Sequence, residues 1–142
     1  MPSESTGELA FRYARVAQVR IARPTDRLEP VVAFYRDGLG LPEVCRFADH
    51  EEYDGVMLGL PGNTYHLEFT QHRRGSPCPA PSRDNLLVLY VPDAKEWQMM
   101  CERLEALGHA PVHPENPYWL RNSVTYEDPD RWRVVLCNSD GL

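Results

Sequence analysis

The feature that most constrains the fold is a pattern that occurs twice in the chain. Each half contains one strand-like segment, then a helix-like segment, then three further strand-like segments. Asp26 and Asp93 each stand three residues before a glutamate, an arrangement typical of a helix N-terminus, and they are separated by close to half of the 142 residues. The simplest interpretation is a duplicated β-α-β-β-β unit.

The predicted elements follow from the spacing of apolar residues. Val19 and Ile21 alternate with Gln18 and Arg20, which indicates a half-buried strand over residues 16–22. Further strands are predicted at residues 43–47, 55–60, 65–71, 86–91, 110–113, 123–127 and 132–137. We therefore divide the chain into a loosely held arm (1–14), module one (about 15–72), a linker rich in Pro, Ser and Gly (73–83) and module two (about 84–139).

Size and composition exclude several classes of protein. A chain of this length buries enough surface to fold without a structural metal or disulfide. The net charge of −6 argues against nucleic-acid binding, which depends on clustered positive charge. No apolar stretch is long enough to cross a membrane, the N-terminus lacks the apolar middle of a secretory signal, and the four cysteines form no C-x-x-C pair. We expect a cytoplasmic protein that binds neither nucleic acid nor membrane.

Four short segments carry a family resemblance. Residues 33–41 (AFYRDGLGL), 66–69 (HLEF), 91–94 (VPDA) and 127–130 (EDPD) resemble, in order and spacing, the glyoxalase / bleomycin-resistance / extradiol-dioxygenase superfamily, also called the vicinal oxygen chelate (VOC) superfamily. The resemblance implies a single α+β VOC domain over residues 15–142. Its paired β-α-β-β-β modules would form a curled mixed sheet around a cavity, with the helices outside, and the protein would usually be a homodimer.

The resemblance also implies where a metal would bind. Metal-using members of the superfamily take one ligand each from the first, fourth, fifth and last strands, and these positions correspond here to Gln18, Glu68, Leu86 and Val135. Leucine and valine have no donor atom, and catalytic metal sites ordinarily use three or more protein ligands. We expect no complete metal site and no other cofactor; the alternative is a divalent ion held by Gln18 and Glu68.

Glu68 is the main candidate for a functional residue. If it faces the cavity, strand alternation places His66 on the same face, so that the carboxylate could accept a substrate proton or bind a ligand hydroxyl or amine. The alternatives are an ion pair with Arg20 or Arg133 on a solvated face of the sheet, or metal ligation. The same alternation predicts further ligand-binding side chains on the inner faces of the other strands: Gln18, Arg20, Tyr90 and Arg133.

A loop in module two carries the remaining candidates. Tyr118 and Trp119 lie between two predicted strands and could form a wall or lid over an apolar ligand, with Asn116 offering amide hydrogen bonds. The alternative is a loop that Trp119 anchors to its own core.

Two functions are compatible with these residues. The leading hypothesis is a glyoxalase/bleomycin-resistance-like protein that binds an unidentified small molecule without a complete metal site. The alternative is a lyase/isomerase or dioxygenase-type enzyme that uses Glu68 as a base or metal ligand. Fold alone does not decide between them, because one fold hosts many chemistries.

Overall fold

The computed structural model describes residues 15–60 and 64–142. The predicted N-terminal arm therefore lies outside the described residues. Module one contains β1 (Val19–Pro24), α1 (Leu28–Val32), a π-helical segment (Ala33–Gly38), β2 (Glu43–His50), β3 (Tyr53–Gly59) and β4 (Tyr65–His72). Module two contains β5 (Leu86–Tyr90), α2 (Ala94–Ala106), a 3-10 helix (Pro117–Leu120), β6 (Ser123–Glu127) and β7 (Arg133–Cys137).

The strands form one mixed sheet in each module. The first sheet has the order β1-β4-β3-β2 and the second has the order β5-β7-β6. In both, the first strand of the module pairs in parallel with the last, and the other pairs are antiparallel. The predicted α+β fold of paired modules is confirmed, although the strands belong to two separate sheets. The strand predicted at residues 110–113 is reduced to one bridge between Val112 and Thr125.

The two modules share one apolar core on the helical side of their sheets. Phe34 and Leu58 of module one are fully buried in the same cluster as Leu104 and Leu136 of module two. The helical segments touch at Gly38, where an added Cβ would lie 2.5 Å from Cδ2 of Leu104. A side chain at this position would have to displace Leu104, which is fully buried.

The two helices begin in different ways. Asp93 caps α2 as predicted, because its side chain accepts hydrogen bonds from the backbone N–H groups of Lys95 and Glu96, both at 2.9 Å. The predicted cap at Asp26 is wrong: α1 begins after Arg27, and the Asp26 carboxylate accepts the backbone N–H of Ser76 in the linker. No helix within the described ranges has the length and apolar character needed to cross a membrane.

Candidate functional site

The face of the first sheet that points away from the apolar core is polar along β1 and β4. Leu67 and Phe69 of β4 are buried in the core, so the alternating residues His66 and Glu68 face the other side of the sheet. The parallel register aligns Arg20 of β1 with His66. This alignment brings Arg20, His66 and Glu68 together as the Arg20–His66–Glu68 cluster.

The cluster is held by two contacts of one guanidinium group. Nε of Arg20 donates a hydrogen bond to Nε2 of His66 at 2.8 Å, and Nη1 of Arg20 lies 3.6 Å from a carboxylate oxygen of Glu68. Because Nε2 of His66 accepts a hydrogen bond, the imidazole is neutral and carries its proton on Nδ1. His66 is buried and the Glu68 side chain is 15% exposed, whereas that of Arg20 is 49% exposed. The cluster therefore opens to solvent on the Arg20 side.

The structure distinguishes the two ion pairs considered for Glu68, one with Arg20 and one with Arg133. The carboxylate pairs with Arg20 and not with Arg133, whose Nε donates to Glu127 at 3.1 Å and whose Nη1 donates to the carbonyl of His113 at 3.0 Å. Chemically, the cluster offers a carboxylate that accepts hydrogen bonds or a proton, a neutral imidazole, and a half-exposed guanidinium that donates to a ligand oxygen.

The four positions that the superfamily uses for a metal do not form a donor set here. Gln18 lies before the start of β1 and is exposed, which differs from its predicted place within the first strand. Leu86 and Val135 supply no donor atom, and Val135 is fully buried. In the part of the chain that the structure describes, no three His, Cys, Asp or Glu side chains are grouped to hold a metal ion. The side chains present do not fit the superfamily's metal centre.

The aromatic loop residues lie at a different place. Asn116 caps the 3-10 helix by accepting the backbone N–H of Tyr118 at 3.0 Å, and the rings of Tyr118 and Trp119 meet edge to face at 4.9 Å. The two rings line a cavity of about 270 Å³ together with Cys137. Asn116, Tyr118 and Trp119 are thus neighbours, but the cavity that the two rings line is not lined by the residues of the Arg20–His66–Glu68 cluster.

Tyr90 lies in a third place, an apolar groove between the two sheets. The groove is about 620 Å³ in volume, and β1 and β5 border it. Among the described strands, β1 pairs only with β4 and β5 pairs only with β7, so each has one unpaired edge. Ile21, Tyr65 and Tyr90 along this groove are 52%, 46% and 43% exposed. We call this surface the β1/β5 groove.

Sequence reasoning missed a charged network that joins the modules. Arg23 of β1 pairs with Asp128 and, at 2.9 Å, with Asp130 in the turn before β7, while the hydroxyl of Tyr35 donates to Asp128 at 2.8 Å. Burial raises the pKa of Asp128 above its ordinary value, although the charge of Arg23 opposes this shift. Burial and the neighbouring Asp128 raise the pKa of Tyr35 well above its ordinary value. The sequence marked Asp128 and Asp130 as part of a turn motif, but it held no signal for the distant Arg23.

Comparison with known proteins shows the family. Residues 19–70 match the YycE-like N-terminal domain and residues 84–138 match the YycE-like C-terminal domain. The chain is 49% identical over 132 residues to the uncharacterized protein YycE of Bacillus subtilis (strain 168), an alignment that covers 93% of this chain and 95% of that protein. The chain belongs to the YycE-like family.

Solved structures agree with this assignment. A crystal structure of a YycE protein of unknown function from Bacillus subtilis superposes on this YycE-like chain with a TM-score of 0.84 at 51% identity, covering 89% of this chain and 92% of that one. Leishmania major glyoxalase I has a TM-score of 0.66 at 19% identity, covering 89% and 88%. TnmS3, an antibiotic-binding protein from Streptomyces sp. CB03234, has a TM-score of 0.62 at 20% identity, covering 88% and 97%. The fold is that of the VOC superfamily. Of the proteins compared, glyoxalase I is an enzyme and TnmS3 is a binding protein.

Proposed function

We propose that this YycE-like protein binds a small oxygenated molecule at the Arg20–His66–Glu68 cluster without a resident metal ion. The observation that carries the proposal is the Glu68 carboxylate, which is 15% exposed and held beside a guanidinium group and a neutral imidazole. A ligand hydroxyl would donate to Glu68, and a ligand carbonyl would accept from the exposed side of Arg20. Leu86 and Val135 are apolar and stand at two of the positions that the superfamily uses for metal ligands, which supports a site without a resident metal ion.

The second candidate is an enzyme of the lyase or isomerase type. The observation that favours it is the proximity of a carboxylate to a neutral imidazole that carries its proton on Nδ1. Glu68 would act as the general base, and the Nδ1–H of His66 would donate a hydrogen bond to the oxyanion that forms as the substrate loses its proton.

Retention of a ligand tests the binding site. The protein is incubated with a small-molecule extract of cells and freed of unbound material, and the retained compounds are identified by mass spectrometry. We expect a compound retained by the wild type to be lost from Glu68→Gln and kept by Glu52→Gln, a control at a carboxylate that is 58% exposed. Equal retention by the wild type and Glu68→Gln would contradict the proposed site.

The same compound distinguishes binding from catalysis. A binding protein leaves it unchanged on prolonged incubation, whereas an enzyme converts it. For an enzyme, Glu68→Gln should lower the turnover number by about 10²–10⁴-fold while much of the affinity remains, because the base acts mainly in the transition state.

We further propose that the protein is a cytoplasmic homodimer in which a second copy covers the β1/β5 groove. Two unpaired strand edges beside exposed Ile21, Tyr65 and Tyr90 support the interface, since such edges pair readily with another chain. Four free cysteines support a reducing compartment.

Light scattering during size exclusion tests the dimer. We expect twice the monomer mass for the wild type and the monomer mass for Tyr90→Asp, which would place a charge in an apolar interface. Tyr118→Asp is the matched control, because Tyr118 is 69% exposed and lies outside the groove. A monomeric wild type, or a Tyr90→Asp protein that remains dimeric, would contradict this interface.

A further inference from the structure

A separate cavity of about 240 Å³ lies at the seam where β1 approaches β5 and β7. Its wall is largely apolar and includes the rings of Phe69 and Trp132 with the side chains of Ile21, Leu67 and Leu86. Arg23 and Arg133 also line it. The cavity does not include the residues of the Arg20–His66–Glu68 cluster, so its occupant is independent of the proposed function.

Arg133 gives this apolar cavity one donor suited to a ligand. The residue is 5% exposed, and its Nε and Nη1 are engaged by Glu127 and by the carbonyl of His113. Within the described part of the chain, Nη2 of Arg133 forms no hydrogen bond. Among the described residues, only Thr125 has a fully buried side-chain polar atom without a partner, so Nη2 of Arg133 keeps accessible surface and can donate a hydrogen bond to a ligand.

The surrounding charges determine what kind of acceptor fits. Arg133 is already paired with Glu127, and Arg23 is paired with both Asp128 and Asp130. These five side chains sum to a charge of about −1, so a carboxylate or phosphate would gain little net attraction and would lose its hydration. A neutral carbonyl oxygen accepts the same hydrogen bond without that loss.

The shape of the cavity limits the rest of the ligand. Its volume is below the roughly 300 Å³ at which pockets for drug-sized ligands begin, so a single ring fits better than a fused system. The guanidinium of Arg23 lies over the rings of Phe69 and Trp132, so an aromatic ligand would pack against the edges of these rings, an arrangement that aromatic pairs favour. We propose that the seam cavity binds a neutral, single-ring aromatic carbonyl compound whose oxygen accepts a hydrogen bond from Arg133.

Acetophenone is the probe, and ethylbenzene is its matched control without the oxygen. Titration is followed by the indole N–H of Trp132, which donates to the carbonyl of Cys78 at 3.0 Å and gives a separate nitrogen-15 NMR signal. We expect saturable binding of acetophenone. Ethylbenzene should bind at least about tenfold more weakly, because it lacks the hydrogen bond to a charged donor. Benzoate should also bind at least about tenfold more weakly, because its carboxylate loses hydration without a net attraction. No saturable shift, or equal affinity for ethylbenzene, would overturn the proposal.

A pair of variants locates the probe. Leu86→Phe fills the cavity and should abolish the shift. Val88→Phe adds the same bulk two residues along the same face of β5, but it borders the β1/β5 groove and should leave binding unchanged. Equal binding by Leu86→Phe and the wild type would overturn the location. The comparison of the three probes on the wild-type protein needs no variant and stands even if Leu86→Phe does not fold.

Discussion

Arg23 connects the two modules through a group that is almost removed from water. Its side chain is 12% exposed, and the guanidinium carbon lies 5.0 Å from the centre of the Phe69 ring and 5.2 Å from that of Trp132. Phe69 belongs to module one, whereas Trp132, Asp128 and Asp130 belong to module two. A buried charge of this kind is tolerated only while its partners are present, so each partner depends on the other.

Replacing Arg23 by methionine leaves the buried Asp128 carboxylate without its counter-charge. We expect Arg23→Met to lower the free energy of unfolding by about 3–5 kcal/mol, the range seen when one partner of a buried pair is removed. Arg73→Met is the control: Arg73 pairs with Asp49 at 3.2 Å, but both side chains are more than half exposed, so a loss of about 0–1 kcal/mol is expected. Urea unfolding measures both, and equal losses would contradict the role of Arg23.

The same variant predicts a dependence on pH. Without Arg23, the pKa of Asp128 rises further, because burial is then opposed only by hydrogen bonds. A carboxyl whose pKa is higher in the folded than in the unfolded state favours folding while it is protonated, and this contribution is lost as pH rises through the folded pKa. The deficit of Arg23→Met relative to the wild type should therefore be smaller at mildly acidic than at neutral pH. A deficit that grows on acidification would contradict this reasoning.

The free cysteines should differ in their reactivity with iodoacetamide. Cys45 is exposed on β2, whereas Cys101 is buried on α2, and burial raises the pKa of the Cys101 thiol. A raised pKa leaves less of the reactive thiolate at mildly alkaline pH. Mass spectrometry of the native protein should show Cys45 labelled before Cys101, and labelling of Cys101 as fast as Cys45 would contradict its placement.

At the scale of the elements, the start of α2 depends on one side chain. Asp93→Ala removes the acceptor of two backbone N–H groups and should lower the free energy of unfolding by about 1 kcal/mol. Asp140→Ala changes an exposed aspartate near the C-terminus and should have little effect. Thermal or urea unfolding of the two variants measures the difference, and equal stabilities would contradict the capping role.

Comparison of Asp93 with Asp26 shows what the sequence could predict about the elements. Both aspartates stand three residues before a glutamate, but the Asp26 carboxylate accepts the backbone N–H of Ser76. Ser76 is 50 residues away, so the local pattern around Asp26 gives no indication of this contact. Alternation along β4 correctly separated His66 and Glu68 from the core residues Leu67 and Phe69. It could not show that Tyr90 and Tyr118 border different cavities, because that depends on how the two sheets are placed in space.

At the scale of the whole molecule, the shared core couples the two halves. Because the helical segments of both modules bury their side chains in one cluster, neither sheet keeps its apolar face covered without the other. We expect one cooperative unfolding transition. All three tryptophans lie in module two, so tryptophan fluorescence reports on that half. Hydrogen exchange of the β3 and β4 amides reports on module one, and two separated midpoints in urea would contradict the coupling.

The long separation between Arg23 and Asp128 has a consequence during synthesis on the ribosome. β1 needs β4 to complete its sheet, and Arg20 and His66 are 46 residues apart, whereas Arg23 and Asp128 are 105 residues apart. A nascent chain can therefore assemble the first sheet while the carboxylates that neutralise Arg23 have not yet been translated. Until the turn that carries them and the last strand emerge, Arg23 has no carboxylate partner from module two. We therefore expect module one to remain loosely packed until translation is nearly complete.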